Sequence, residues 1–389
     1  MAGIENGVKG HSFRSPSPFL LPQPRVAFRF PGLRSSLRDS LTQGNNIWPT
    51  SGQERLKELD TIRVGFIGCG AHSGSRLYPS LQAAGLELVA VCDEIKSKAE
   101  ARASEYQVQN FYTDYREMCA SEKLDAVLIS IGPQEHYELG IDLLNSGVHV
   151  WTEKPCSKTA AQANEMAHAA EKADRIVQTG FNYRYTLGIQ KAKEMIESGR
   201  FAPPAMVAVR WWLGVRDSLR FMLHYVVHAV DLLNYLSPGK LTGMHINYQS
   251  HDGFDYYVVT FQAEGGCIAV LEATANMAIS SHWCRVDWMS KDGMLSVRDF
   301  TEVTHHGTAH WGKNAETDSA PYGGDRIWRT EPLIAQGPFV DTWGYMGELD
   351  CFRQAVLGQR KPECTIREAA WGLQVCEEMM KAAASGREQ

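Results

Sequence analysis

The sequence predicts an α/β protein made of a doubly wound parallel sheet and, after it, a C-terminal α/β domain with an open, mostly antiparallel sheet. Three observations carry this. Residues 61–93 read as strand, glycine turn, helix and strand. Strands and helices then alternate as far as Gly180, the pattern of a parallel sheet wrapped by helices. Beyond Gly180 the segments alternate in polarity and are rich in Val, Tyr and Trp between glycines and charged turns, as antiparallel strands are.

The first strand holds Ile62, Val64, Phe66 and Ile67, and it breaks into Gly68, Gly70 and Gly74 before a helix that runs to Gly85. A second strand, Leu86–Cys92, ends on Asp93. Glycines let backbone N–H groups approach a pyrophosphate at the positive end of a helix. Gly68, Gly70, Ala71 and His72 are therefore the candidate cradle, and Asp93, about 20 residues on, is the candidate acceptor for ribose hydroxyls. The fingerprint is imperfect, since its third slot falls on Ser73 and Gly74 comes one residue late. The strand before, the helix after and the terminal acid favour a dinucleotide over an ordinary turn. Asp93 would repel a 2′-phosphate and points to NAD, while Lys96 and Lys98 leave NADP open.

A helix follows around Ala99 and Tyr106, then a short strand at Phe111 and Tyr112 and a helix over 115–120. Residues 124–131, LDAVLISI, form a continuous apolar run suited to a strand buried on both faces. Gly132 and Pro133 end it. A helix over 135–145 leads to the strand 148–151, which runs into Glu153-Lys154-Pro155. One more helix, 159–173, and a strand, 176–180, complete the parallel sheet. Ligands of such sheets bind beyond the carboxyl ends of the strands, where residues 68–74, Asp93, 131–136 and 152–155 all fall. Past Gly180 the reading gives a helix over 188–198, a strand over 205–212 and a helix carrying His224, His228 and Asp231. Strands are expected at 244–249, 256–263, 267–274, 283–289 and 293–298. Residues 302–340 read as an irregular excursion, and helices over 345–358 and 366–384 close the chain. The expected domains are thus 60–180 and 181–385. Residues 1–59, with six prolines among serines and arginines, are expected to be disordered or loosely ordered, as a transit peptide or a dispensable tail.

Bulk properties narrow the function. A formal net charge of −6 supplies no basic field for nucleic acid. No apolar run reaches the roughly 18 residues of a membrane-spanning helix. The nine cysteines are scattered without a C-x-x-C pair, which fits reduced thiols and a cytoplasmic location.

Two groups could do chemistry. Lys154, at the end of a sheet strand, could stabilise a developing alkoxide or pass a proton. His224, His228 and Asp231, spaced by four and three, would share one helical face, and a histidine there suits exchange of a hydroxyl proton near neutral pH. No third ligand joins the pair, so no metal is assigned. Asn182 and Arg184 could contact substrate, though Arg184 could equally pair with a core carboxylate. Arg216 and Arg220 could bind an anionic group or be turn residues. Trp211, Trp212, Trp283 and Trp288 read as sheet packing, and His305, His306 and His310 as loop residues.

The glycine loop, the strand end VAVCD, the run DAVLISIGPQEHYELGIDLLNSGVHVWTEKP, the segment QTGFNYRY and the helix HYVVHAVDLLNYL occur in this order and resemble the Gfo/Idh/MocA oxidoreductases over about residues 61–385. The resemblance implies a Rossmann domain, a nicotinamide cofactor and a second domain whose open sheet forms a dimer face, hence a homodimer or homotetramer. It implies Lys154 and His228 as the catalytic pair, with Pro133, His136 and Glu153 lining the cofactor. One position departs, for members similar to inositol dehydrogenase carry an aspartate where this chain has His224, and an imidazole replaces only part of that carboxylate's role. The expectation is an NAD(P)-dependent oxidoreductase acting on a secondary alcohol of a sugar, cyclitol or related polyol, with His224 assisting. A glycosidase using NAD transiently and a non-catalytic dinucleotide-binding regulator are the alternatives.

Overall fold

The computed structural model describes residues 60–199, 201–214, 221–277, 283–307, 326–329 and 343–387. The N-terminal extension, Arg216, Arg220 and His310 lie outside them. Six strands form the first sheet: β1 (Ile62–Ile67), β2 (Leu86–Cys92), β3 (Asn110–Tyr112), β4 (Ala126–Ile129), β5 (His149–Glu153) and β6 (Val177–Gly180). All pair in parallel, in the order β3-β2-β1-β4-β5-β6. The order reverses between β1 and β4, so a crevice opens at their carboxyl ends.

The connections are helical. After β1 comes α1, a π-helical turn Ser73–Leu77 continued by the α-turn Tyr78–Leu81. Then come α2 (Lys96–Glu105), α3 (Tyr115–Ser121), α4 (Pro133–Asn145) and α5 (Ala160–Ala173). Their starts follow side-chain chemistry: Asp114 accepts from Arg116 N at 2.8 Å, and Thr159 Oγ1 accepts from Gln162 N at 3.2 Å. Each such cap contributes about 1 kcal/mol. Pro133 occupies the first turn of α4, where its missing N–H costs nothing.

The chain then runs through a 3-10 turn, Asn182–Tyr185, and α6 (Leu187–Glu197) into a second sheet. Its strands are β7 (Met206–Trp212), β8 (Thr242–His251), β9 (Phe254–Gln262), β10 (Ile268–Ala275), β11 (Trp283–Ser290), β12 (Gly293–Arg298), β13 (Glu302–His306) and β14 (Arg326–Arg329). The order is β14-β13-β12-β11-β7-β10-β9-β8. Only the β7–β10 pair is parallel, so this sheet is mixed and mostly antiparallel. Between β7 and β8 lies α7, again a π turn, Met222–Val226, continued as the α-helix Val227–Leu236. The last helices are α8 (Tyr345–Val356) and α9 (Ile366–Arg387).

Two elements differ from expectation. β13 and β14 lie inside the stretch expected to be irregular; the rest of that stretch lies outside the described residues. In β13 the buried side chains are Val303, Thr304 and His305, a polar mixture whose strand character comes from pairing with β12, not from composition. Secondly, α8 packs on the first sheet although it follows the second in sequence: Leu349 and Phe352 join Val64, Phe66, Leu128, Trp151 and Tyr78 in one buried cluster. Each fully buried side chain of this kind contributes about 1.5–3 kcal/mol. Arg353 of α8, also buried, donates from Nη1 to Asp60 O at 2.7 Å. Gln178 Nε2 of β6 donates to Glu348 O at 2.9 Å. The opposite face of the first sheet, with Ile67, Val127, Ile129 and Val150, is continuous with the core beneath the second sheet. No helix among the described residues is long and apolar enough to cross a membrane.

Candidate active site

A cavity of about 730 Å³ opens at the carboxyl ends of β1, β2, β4 and β5, a volume suited to a ligand of cofactor size. Gly68 begins its wall at φ +106. A Cβ there would overlap the carbonyl oxygen of Ser130 at the end of β4, so the tight turn at the switch point requires glycine. A Cβ on Gly70 would instead meet no protein atom, which leaves that space to whatever the loop holds. Ser73, in the third fingerprint slot, is buried and turns its hydroxyl back, donating to Gly68 O at 2.9 Å and Gly70 O at 3.2 Å. Gly74 serves close packing in its place. Its missing Cβ admits the guanidinium of Arg102 from α2, whose Nη2 donates to Gly70 O at 3.3 Å.

Asp93 sits at the tip of β2, as expected, but its carboxylate first organises the loops. Oδ2 accepts from Cys69 N at 2.9 Å and Oδ1 from Ile95 N at 3.0 Å. The acid thereby pins the glycine turn, and each oxygen keeps a lone pair toward the cavity. Glu94 and Lys98 line the wall beside it, two acids against one base.

At the other end, Glu153 Oε1 accepts from His72 Nε2 at 3.1 Å, which joins the glycine loop to the end of β5. Burial raises the Glu153 carboxyl, yet the His72 hydrogen bond, the Lys154 ammonium and the Lys154 N–H together hold it below the usual carboxylate range. His136, buried on α4, donates from Nδ1 to Pro155 O at 2.9 Å and accepts Ile131 N–H on Nε2 at 3.0 Å. Both ring nitrogens are therefore used in tying the ends of β4 and β5 together. Burial lowers its pKa, so the ring is neutral. Lys154 Nζ donates to His224 O at 3.2 Å, and both residues line the cavity.

The three residues expected on one face of α7 differ in exposure. His224 is exposed at the cavity, whereas His228 and Asp231 are buried. The His228 ring lies among Tyr183, Phe181 and Trp211, with centroids at 4.6, 5.9 and 6.1 Å.

Arg184 is likewise not turned toward the cavity. It is 1% exposed and grips Asp231 through Nε–Oδ2 at 2.8 Å and Nη2–Oδ1 at 2.5 Å, with Glu368 Oε1 at 3.3 Å and the Tyr235 ring 4.8 Å from its guanidinium carbon. Burial pushes the Asp231 carboxyl up to about 6 against the pull of Arg184, with Glu368 adding to the rise. Both partners remain charged at neutral pH. Asn182 is buried too, donating from Nδ2 to Trp343 O at 2.7 Å. Pro133 opens α4, whose cavity-lining residues are Glu135, His136 and Leu139.

Sequence reasoning placed Ile131 at a ligand-facing strand end but passed over Thr113 and Tyr115, and all three line the wall. Ile131 is 53% exposed, an apolar side chain open to the cavity at a strand end. The signal was present for Thr113 and Tyr115, since they follow the carboxyl end of β3. Among the described residues no cluster of three or more His, Cys, Asp or Glu could hold a metal.

Comparison with known proteins places the fold among known ones. A family model described as oxidoreductase family, NAD-binding Rossmann fold, GFO_IDH_MocA, matches residues 62–181. Inositol 2-dehydrogenase of Salmonella paratyphi B is 28% identical over 183 residues, 45% of this chain and 54% of the relative. The chain thus spans about half the length of that relative. Myo-inositol 2-dehydrogenase of Thermotoga maritima is 29% identical over 273 residues, 62% of this chain and 77% of the relative. The crystal structure of a dehydrogenase from Chromobacterium violaceum superposes with a TM-score of 0.75 at 23% identity, covering 85% of this chain and 98% of that one, and shares its fold.

Proposed function

We propose that the chain, whose residues 62–181 match the Gfo/Idh/MocA Rossmann model, is an NAD-dependent oxidoreductase that interconverts a secondary alcohol and a ketone on a sugar, cyclitol or related polyol. One observation carries the reading: a single cavity wall joins the glycine loop and Asp93 to Glu153, Lys154 and His224.

The residues present fit a dinucleotide. The open space at Gly70 and the N–H groups of the first turn of α1 suit the pyrophosphate. Asp93 suits the ribose hydroxyls, Ile131 an apolar ring face, and Asp93 with Glu94 disfavours a 2′-phosphate. Lys98, which lines the cavity, favours NADP, as does Lys96 near it in sequence. Bound NAD supplies the two-electron acceptor for the substrate carbon that loses its hydrogen. Lys154 Nζ, with one of its three protons on His224 O, directs the others toward the reacting oxygen and stabilises charge there. His228, fixed by its three aromatic neighbours, takes the hydroxyl proton. His224, at the cavity mouth, assists by orienting Lys154 through its carbonyl. The free thiols of all nine cysteines suit a reducing, cytoplasmic setting, and assembly as a homodimer or homotetramer through the open face of the second sheet belongs to the same reading.

The test is a titration of the full-length protein with NADH and NADPH, followed by NAD with a sugar and polyol panel at 340 nm. NADH binding with reduction of NAD by a panel member is expected. Lys154→Ala should lower that turnover by about 10²–10⁴-fold while leaving the NADH dissociation constant within a few-fold. Full turnover in the variant would remove Lys154 from the mechanism. Glycoside hydrolysis without net NADH would replace the reading, and binding without any turnover would favour a regulator.

A further inference from the structure

Beyond His72, outside the lining of the cavity, lie residues that the reading above leaves without a role. Arg76 stands on the same π turn of α1, exposed and without a carboxylate partner among the described residues. Its guanidinium carbon lies 5.7 Å from the centroid of the Trp343 ring. Trp343 is 38% exposed, while Asn182 holds its carbonyl. The Trp343 ring is 6.3 Å from that of Tyr183, and Tyr183 is 4.6 Å from His228. Tyr345 meets His72 edge-on at 6.1 Å. A row of rings thus leads from the cation to the proposed base.

The charge of Arg76 reaches along this row. Burial raises the hydroxyls of Tyr183 and Tyr345, and Arg76 opposes the rise in both. A guanidinium held over an indole face by its charge leaves N–H groups available for a two-pronged bond to an oxyanion. The exposed indole beside it offers a flat apolar surface of the kind that the C–H face of a sugar ring covers.

We propose that Arg76 and Trp343 form a subsite for an oxyanion substituent, so that the substrate is an acidic sugar or polyol carrying a carboxylate or phosphate away from the reacting hydroxyl. This rests on the reading that places the reacting hydroxyl at His228. Trp343 supports the ring and Arg76 receives the anion, which sets the orientation in which one hydroxyl is presented to His228 and Lys154.

The experiment is calorimetric titration of the NADH-loaded full-length protein with matched sets of hexose, hexuronate and hexose 6-phosphate in the gluco, galacto and manno series. At least one anion should bind about tenfold or more tightly than its neutral parent, as one charge-assisted pair supplies, and the advantage should shrink with added salt. Arg76→Gln should bring the anion-to-neutral ratio within about twofold, and Arg76→Lys should recover part of it. Trp343→Leu should weaken neutral and anionic members alike. Uronate preference names a carboxylate and phosphate preference a phosphate ester. Equal affinities in the wild type, no binding of any anion, or a ratio that survives Arg76→Gln overturns the proposal. The ratio is read from binding alone, so lack of turnover would strike the oxidoreductase reading and leave this result standing.

Discussion

Arg184 and Lys154 carry the same charge just beyond the ends of neighbouring strands, β6 and β5, yet their surroundings differ. Arg184 is buried and gripped on its fork by Asp231, with Glu368 and Tyr235 completing its shell. Lys154 is only partly buried and hydrogen-bonds to the carbonyl of His224 at the cavity. A cation whose donors are used up holds elements together, while one with donors to spare can address a ligand. Here the first joins the turn after β6 to α7, and so holds the helix that carries His228.

The largest effect should come from breaking the buried partner. Arg184→Ala leaves the Asp231 carboxyl buried and unpaired, and should lower stability by about 3–5 kcal/mol in urea unfolding followed by circular dichroism. Lys154→Ala should stay within about 0.5 kcal/mol. Similar losses in both would dissolve the distinction. The two histidines of α7 sharpen it at the level of turnover. His228→Ala should lower turnover by about 10²–10⁴-fold and His224→Ala by less, measured with the best panel substrate. The reverse order would move the proton acceptor to the exposed ring.

The smallest effect is a pH dependence of stability. His136 is lowered by burial, and His149 by burial and then Arg175. A depressed folded-state pKa means that the unfolded chain binds more protons below its ordinary value of about 6.5. Stability is then full above that value and falls as pH drops through it toward the depressed values. The urea midpoint should decline below about pH 6.5, and His136→Asn should flatten the decline while lowering the midpoint at pH 8. An unchanged slope would show that His136 does not titrate differently on folding.

Much of this was legible because it rests on short-range rules. The glycine turn, the acid at the tip of β2 and the apolar run of β4 are determined by backbone freedom, charge and hydrophobic continuity over a few residues. They suffice to place the cavity at the carboxyl ends of the strands. The spacing of His224, His228 and Asp231 placed them on one helix but could not say which of them packing would bury. β13 escaped because its buried residues are partly polar, and α8 because nothing local says which sheet an amphipathic helix covers.

The sequence by itself determined the order of elements, the nature of the first sheet and the residues at its carboxyl ends, since periodicity and glycine placement act locally. Only the tertiary structure decided the fate of each charge. Arg184 meets Asp231 across 47 residues and Glu368 across 184, and Lys154 meets the His224 carbonyl across 70. Arg76 meets the ring of Trp343, far from it in the chain. Whether a charge is neutralised in the core or held ready for a ligand depends on such distant partners and on the water that packing excludes, and neither is written in a side chain's neighbours along the chain.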